Sequence, residues 1–104
     1  MKQKNKRELV GEIGVDAGMC WIGDPCYVFG EERPKEIGKN WQEFCNILKE
    51  KGMYVKQTAQ FNYDLGHAGL GIVTSTGYGD GGYPVYATFN DYGRVTKIEV
   101  EFIS

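Results

Sequence analysis

The sequence predicts an α+β fold, in which one amphipathic helix packs on a mainly antiparallel β-sheet of about six strands. Two observations support this class: one segment has helical apolar spacing, and several short segments alternate between apolar and polar residues. With 104 residues, the chain is expected to form a single domain, 1–104. A sheet curled toward a barrel or a sandwich is also compatible, because Gly11 and Gly71 interrupt predicted strands and are typical of bends.

Two strands are predicted before the helix. Leu9, Ile13 and Val15 share one parity in "RELVGEIGVD", and "DAGM" then resembles a tight turn into a second strand, "MCWIGD". The basic residues 1–7 ahead of them are expected to form a flexible, solvated tail.

The helix is predicted over about 41–51. Its apolar stripe has the spacing i, i+3, i+4 and i+7 and consists of Trp41, Phe44, Cys45 and Leu48. Asn40 is a favourable N-cap, Glu43 stands where a capping box needs it, and Gly52 occupies the C′ position. This pattern makes Trp41 an expected core anchor.

Four strands are predicted after the helix, in "MYVKQTAQF", "GLGIVTST", "YPVYATF" and "VTKIEVEFI". Their expected inward residues include Met53, Val55, Ala59 and Phe61 in the first, and Ile98, Val100 and Phe102 in the last, with Lys97, Glu99 and Glu101 outward. Between the last two strands, "NDYGR" predicts a hairpin with a type I turn and Gly93 in the left-handed conformation.

The composition excludes several classes of function. A net charge of −2 argues against a general nucleic-acid binder, and no apolar run reaches the length of a membrane helix. The three cysteines, Cys20, Cys26 and Cys45, indicate reduced thiols and therefore a soluble protein of the cytoplasm. Their spacing does not suit a structural zinc site.

Glycine is concentrated in "DAGMCWIGDPCY" and "GYGDGGYPVY", and its total of 15 residues is about twice the average frequency. One interpretation is a pair of loops that let a ligand approach the backbone closely. The other is a strand connection in which Asp80 closes an Asx-turn on its own backbone. A loop that only had to turn could use two glycines, whereas this one has four, and each adds to the entropic cost of folding. A cost that turning alone does not require favours the binding interpretation.

The same segments carry a family resemblance. "GYGDGGYPVY", followed by "NDYGRVTKIEVEF", resembles the C-terminal signature of a family of small bacterial and phage proteins catalogued as a domain of unknown function. "IGDPCYVF" resembles an amino-terminal signature in related small phage-type proteins. The resemblance implies a compact intracellular β-rich domain in a mobile-element or defence setting, and it identifies no catalytic residue.

Acidic residues suggest a second kind of site. Asp24 and Asp80 are both expected on loops at strand ends, whereas Asp16 and Asp24 would lie some 20 Å apart on one strand. Two carboxylates could hold Ca²⁺ or Mg²⁺, which is not favoured here, or act as general acid and base together with His67. The alternative is that Asp24 caps its own turn, and no metal ligand is assigned.

The sequence therefore predicts a small binding protein, whose ligand would be a small polar molecule such as a nucleotide, or a host protein. The ligand-binding residues would be Asp24 and Tyr27 in the 24–28 segment, and Tyr78, Gly79, Asp80, Gly81, Gly82 and Tyr83 in the 77–83 loop. One alternative is a small hydrolase that uses Asp24, Asp80 and His67. Another is a subunit that assembles through its edge strands, and no oligomeric state is predicted.

Overall fold

The computed structural model describes residues 5–29, 34–63 and 69–102. They divide into two compact units: the terminal unit, which runs up to Gly18 and resumes at Thr76, and the central unit, Met19–Ser75. In chain order the elements are β1 (Lys6–Val15), β2 (Met19–Ile22), α1 (Trp41–Glu50), α2 (Met53–Lys56), β3 (Thr58–Phe61), β4 (Gly71–Ser75), β5 (Gly81–Phe89) and β6 (Val95–Val100).

The predicted class is confirmed: six antiparallel strands are combined with one long amphipathic helix. The strands form two three-stranded sheets, in the order β1-β5-β6 in the terminal unit and β2-β4-β3 in the central unit, and the described strands do not close into a barrel. The turn expected in "DAGM" does not join β1 and β2 into a hairpin, because β1 pairs with β5 and β2 pairs with β4.

Helix α1 begins and ends close to where its capping residues predict. The Asn40 side chain accepts a hydrogen bond from the Glu43 amide at 2.9 Å, and Gly52 adopts the left-handed conformation with φ of 78°. Glu43 differs from a standard capping box, because its carboxylate accepts from the Lys39 amide at 3.1 Å.

The core of the central unit lies between the helices and one face of their sheet. Its buried residues are Leu48, Met53, Ala59, Phe61, Leu70 and Val73. The Trp21 ring lies 5.4 Å from that of Phe61, and the Phe44 ring stacks on Phe61 at 5.5 Å with an interplanar angle of 13°. A Cβ on Gly71 would overlap the Trp21 indole, so glycine at this position accommodates a neighbouring ring.

Two expected core residues of the central unit are exposed. Trp41 is 58% exposed, because the core packs against the apolar stripe of α1 at Phe44 and Leu48 and leaves the first residue of the helix largely uncovered. Val55 is 88% exposed, because a short helix replaces the beginning of the predicted strand. That helix is capped by Gln57, a non-glycine residue with φ of 70°, and β3 starts at the next residue.

The predicted hairpin between β5 and β6 is confirmed in the terminal unit. The Asn90 carboxamide oxygen accepts hydrogen bonds from the amides of Tyr92 and Arg94, and Gly93 has φ of 75°. Ile98 lies opposite the buried Ala87, on the predicted face, but it is 56% exposed because β6 is an edge strand.

Strand β1 contains a register shift between Leu9 and Gly11. The shift places Leu9 opposite Tyr86, whereas Ile13 lies opposite Tyr83, so the predicted single parity is interrupted. Leu9 is consequently on the outer face and is exposed. Among the described residues, no helix combines the length and the apolar character that crossing a membrane requires.

Candidate functional site

The 77–83 loop, called the glycine loop below, connects β4 to β5 and continues into the first residues of β5. Gly77 and Gly79 have φ of 71° and 86°, whereas Tyr78 and Asp80 between and after them have negative φ. Because side chains disfavour positive φ, glycine is required at both positions. The alternating sign of φ turns successive amides in a way that can form an anion-binding concavity.

Two buried hydroxyl groups hold the glycine loop. Thr76, fully buried, donates its hydroxyl hydrogen bond to the Gly79 carbonyl at 2.6 Å, and the Tyr83 hydroxyl donates to the same carbonyl at 2.7 Å. The Tyr78 amide donates to the Thr76 carbonyl at 2.6 Å. Buried side chains of the same unit therefore hold the loop in this conformation.

Asp80 connects this loop to Gly18, in the bend that follows β1. Its carboxylate accepts a hydrogen bond from the Gly18 amide at 2.9 Å, and the Gly18 carbonyl accepts one from the Thr76 amide at 3.1 Å. Asp80 thus bonds to a residue 62 positions earlier, whereas the Asx-turn interpretation placed its partner within the loop.

The two tyrosines of the glycine loop have opposite environments. Tyr78 is 68% exposed and presents its ring to solvent. Tyr83 is only 2% exposed, and its ring packs edge-on against Phe102 at 5.4 Å. Gly81 and Gly82 are exposed and pair with Val15 and Gly14 in the sheet. Of the two rings, that of Tyr78 has a face available for stacking on a ligand.

The 24–28 segment belongs to the central unit. The Asp24 carboxylate accepts a hydrogen bond from the Cys26 amide at 2.9 Å and caps a 3₁₀ turn, Pro25–Tyr27, as the capping alternative predicted. Tyr27 is 40% exposed, and its ring lies edge-on to Tyr63 at 5.5 Å. Burial, and then the neighbouring Tyr27, raise the pKa of Tyr63 above its ordinary value.

The predicted site residues are therefore distributed between two units. The glycine loop lies in the terminal unit and Asp24 with Tyr27 in the central unit, and His67 lies outside the described residues. Within residues 5–29, 34–63 and 69–102, no three histidine, cysteine or acidic side chains cluster as a metal site would require. The three cysteines are free thiols, and burial raises the pKa of the Cys20 thiol.

Two residues of the loop assembly, Thr76 and Gly18, were not identified from the sequence. Gly18 acts through a contact between distant chain segments, because its amide donates to Asp80. Thr76 acts through a buried hydroxyl group that donates to the Gly79 carbonyl. A threonine directly before a glycine-rich turn is a weak signal by itself, since threonine hydroxyls commonly bond to nearby backbone groups.

Comparison with known proteins gives one match. A family model described as "Protein of unknown function (DUF4241)" matches residues 4–100. No curated protein and no solved structure gave a significant match. The match covers nearly all of the chain and agrees with the resemblance to an uncharacterised family, so the protein belongs to the DUF4241 family of proteins of unknown function.

Proposed function

We propose that this protein is a small binding protein that recognises a polar, nucleotide-like ligand through its glycine loop. One observation carries the proposal: a loop rich in glycine is held rigid by buried hydroxyl groups while it exposes the ring of Tyr78. A loop that only joined two strands would need neither the bracing nor the exposed ring.

Rigidity of the loop matters because binding otherwise costs conformational entropy. Glycine-rich loops normally lose much freedom when they bind a ligand. Here the Gly79 carbonyl already accepts two hydroxyl hydrogen bonds, and Asp80 is tied to Gly18. Tyr78 would therefore meet a ligand with little further ordering of the backbone.

The groups around Tyr78 suit a ligand that has a flat ring and both donors and acceptors. The amides of Gly79 and Asp80 have no acceptor within the described part of the chain, so they can donate to phosphate or carbonyl oxygens. The exposed Asp80 carboxylate can accept from a sugar hydroxyl or a base amino group. Tyr78 would stack on the base.

The proposal includes the phage or mobile-element setting that the family resemblance implies. In the cytoplasm, a protein of this size could act by sequestering a nucleotide signal. A host protein with a polar, ring-bearing surface is the alternative ligand for the same loop. Asp24 and Tyr27, in the other unit, would contribute only if the ligand also reaches the 24–28 segment.

The test is calorimetric titration and thermal unfolding with a panel of nucleotides and divalent cations. A ligand at 100 times its Kd adds about 2.7 kcal/mol and should raise Tm by roughly 10 °C or more. Tyr78→Ala should weaken binding by about 1–3 kcal/mol if the ring stacks on a base. Tyr92→Ala is the matched control, because Tyr92 is an exposed tyrosine of the same unit in the β5–β6 turn.

Two variants of Asp80 separate its charge from its structural hydrogen bond. Asp80→Asn keeps an acceptor for the Gly18 amide, whereas Asp80→Ala removes it. If the carboxylate binds ligand, both variants lose affinity, and Asp80→Asn retains a near-normal Tm. Turnover of a nucleotide that Asp80→Asn abolishes would instead favour the hydrolase. A panel without any binding would overturn the nucleotide proposal and favour a protein partner.

A further inference from the structure

A hollow of about 350 Å³ lies at the start of α1 in the central unit. It is lined by Val28, Ile37, Asn40, Trp41 and Phe44, all of which belong to that unit. The volume falls at the lower end of the range for small-molecule sites, which are mostly apolar with a few fixed polar groups. The described part of the lining matches this description, since it has four apolar side chains and one amide.

The aromatic wall of the hollow is fixed by the core behind it. Trp41 is 58% exposed, and its ring lies 5.6 Å from that of Phe44 at an angle of 33°. Phe44 in turn stacks on the fully buried Phe61. The hollow thus presents the exposed ring of Trp41 on a firmly packed aromatic base.

Asn40, the one polar side chain among the described residues of the lining, is held in one orientation. The Asn40 oxygen accepts the Glu43 amide hydrogen bond, so its NH₂ group must point away from that amide. Across the described ranges this NH₂ group has no acceptor. A ligand acceptor placed beside Trp41 would meet a donor that is already oriented.

We propose that this hollow binds a small uncharged molecule with a planar ring and a hydrogen-bond acceptor attached to the ring. The ring would lie against Trp41 and Phe44, and the acceptor would face the Asn40 NH₂ group. Among the described residues that line the hollow none is charged, so a charged ring would lose hydration without gaining a partner among them. This site lies in the central unit and is independent of the glycine loop.

The test uses benzamide as the probe and two matched analogues. Benzoate replaces the neutral amide with a charge, and cyclohexanecarboxamide keeps the amide but loses the planar ring. Binding is followed through the indole N–H signals in nitrogen-15 spectra, where Trp21 serves as an internal reference within the same unit. We expect benzamide to shift the Trp41 signal and leave Trp21 nearly unchanged, and to bind at least about fivefold more tightly than either analogue.

Two variants examine the assigned contacts. Trp41→Leu keeps an apolar side chain and should weaken benzamide binding about tenfold, as followed by calorimetric titration. Asn40→Ser retains the N-cap but removes the NH₂ donor, and it should weaken binding about threefold to tenfold. Tyr54→Leu, at an exposed aromatic of α2, is the control and should bind normally. Thermal unfolding checks that each variant is folded.

Several results would overturn the proposal. Absence of a Trp41 shift with benzamide up to its solubility limit would show that the hollow does not take this class of molecule. Equal binding of cyclohexanecarboxamide or benzoate would remove the requirement for a planar or an uncharged ligand, respectively. Unchanged affinity in folded Trp41→Leu protein would place the binding elsewhere.

Discussion

The two sheets have the same strand count and are stabilised in different ways. The sheet of the central unit is covered by α1 and α2, and its core is a cluster of aromatic and aliphatic side chains. The sheet of the terminal unit has no helix within its described residues. There, hydroxyl groups brace the glycine loop and charged side chains connect the strands.

The outer faces of the two sheets differ in their charge. In the terminal unit Arg7 lies 3.7 Å above the Tyr86 ring and reaches across β5 to Glu99 at 2.9 Å and Glu101 at 2.6 Å. In the central unit the corresponding face is uncharged and consists of Cys20, Ile22, Thr58, Gln60, Ile72 and Thr74. The terminal unit thus uses hydrogen bonds and ion pairs between groups that stay partly exposed, whereas the central unit relies on side chains that are buried.

The largest effect is expected in the aromatic core. Phe61→Ala removes a fully buried ring in contact with Trp21 and Phe44, and it should lower the free energy of unfolding by about 3–5 kcal/mol. Urea unfolding measures this change. Val55→Ala, at a residue that is 88% exposed, is the control and should stay within about 0.5 kcal/mol of the parent. Equal losses in both variants would contradict a core located on Phe61.

A glycine from each sheet gives the next contrast. Gly71→Ala should lower the free energy of unfolding by about 1–3 kcal/mol, because the new methyl group would overlap Trp21. Gly14→Ala meets no atom within 4 Å and should be neutral or stabilise by up to about 1 kcal/mol. Urea unfolding of both variants checks the difference. If the two changed stability equally, Trp21 would not occupy the space above Gly71.

Removing one hydroxyl group examines the bracing of the glycine loop. Tyr83→Phe keeps the ring against Phe102 but loses the hydrogen bond to the Gly79 carbonyl, so a loss of about 1 kcal/mol is expected. Thr76→Val removes the second hydroxyl at nearly constant shape and should cost a similar amount. Urea unfolding gives the stability, and faster hydrogen exchange of the Tyr78 amide, which donates to the Thr76 carbonyl, would report a looser loop. An unchanged exchange rate in both variants would mean that the hydroxyls do not hold the loop.

The smallest effect concerns the charged outer face. The hydrogen bond from Arg7 lowers the pKa of Glu99, partly opposed by desolvation. A carboxylate with a lowered folded-state pKa stabilises fully above its unfolded pKa of about 4.3, and this stability is lost as the pH falls through the folded value. Glu99→Gln should therefore destabilise slightly at pH 7, less as the pH falls below about 4, and less in high salt.

Thermal unfolding across this pH range, with Glu8→Gln as the control from the same sheet, measures the dependence. Glu8 has no ion pair in the described part of the chain. Parallel pH profiles for the two variants would mean that the Arg7–Glu99 contact contributes nothing to folding.

Local chemistry explains what the sequence could predict about the fold. The helix was predictable because Asn40 and Gly52 act on residues within a few positions of themselves. The β5–β6 hairpin was predictable for the same reason, since Asn90 bonds to amides two and four residues ahead. These signals need no knowledge of the remaining chain.

Features that depend on distant partners could not be predicted. Gly71 is explained by Trp21, which lies on another strand, and the partner of Asp80 is Gly18. The exposure of Trp41 depends on how far the core extends along α1, which periodicity does not specify. In the candidate site, the glycine content identified the loop, but the difference between exposed Tyr78 and buried Tyr83 depends on tertiary packing.

The pairing of β1 with β5 has a consequence for the order of folding during synthesis. The central unit is one continuous segment, so all its strands and helices have been synthesised once residue 75 is added. Strand β1 is made first but must wait for β5, its partner across a loop of more than 60 residues. The central unit should therefore fold before the terminal unit, and β1 should stay unpaired until β5 is available.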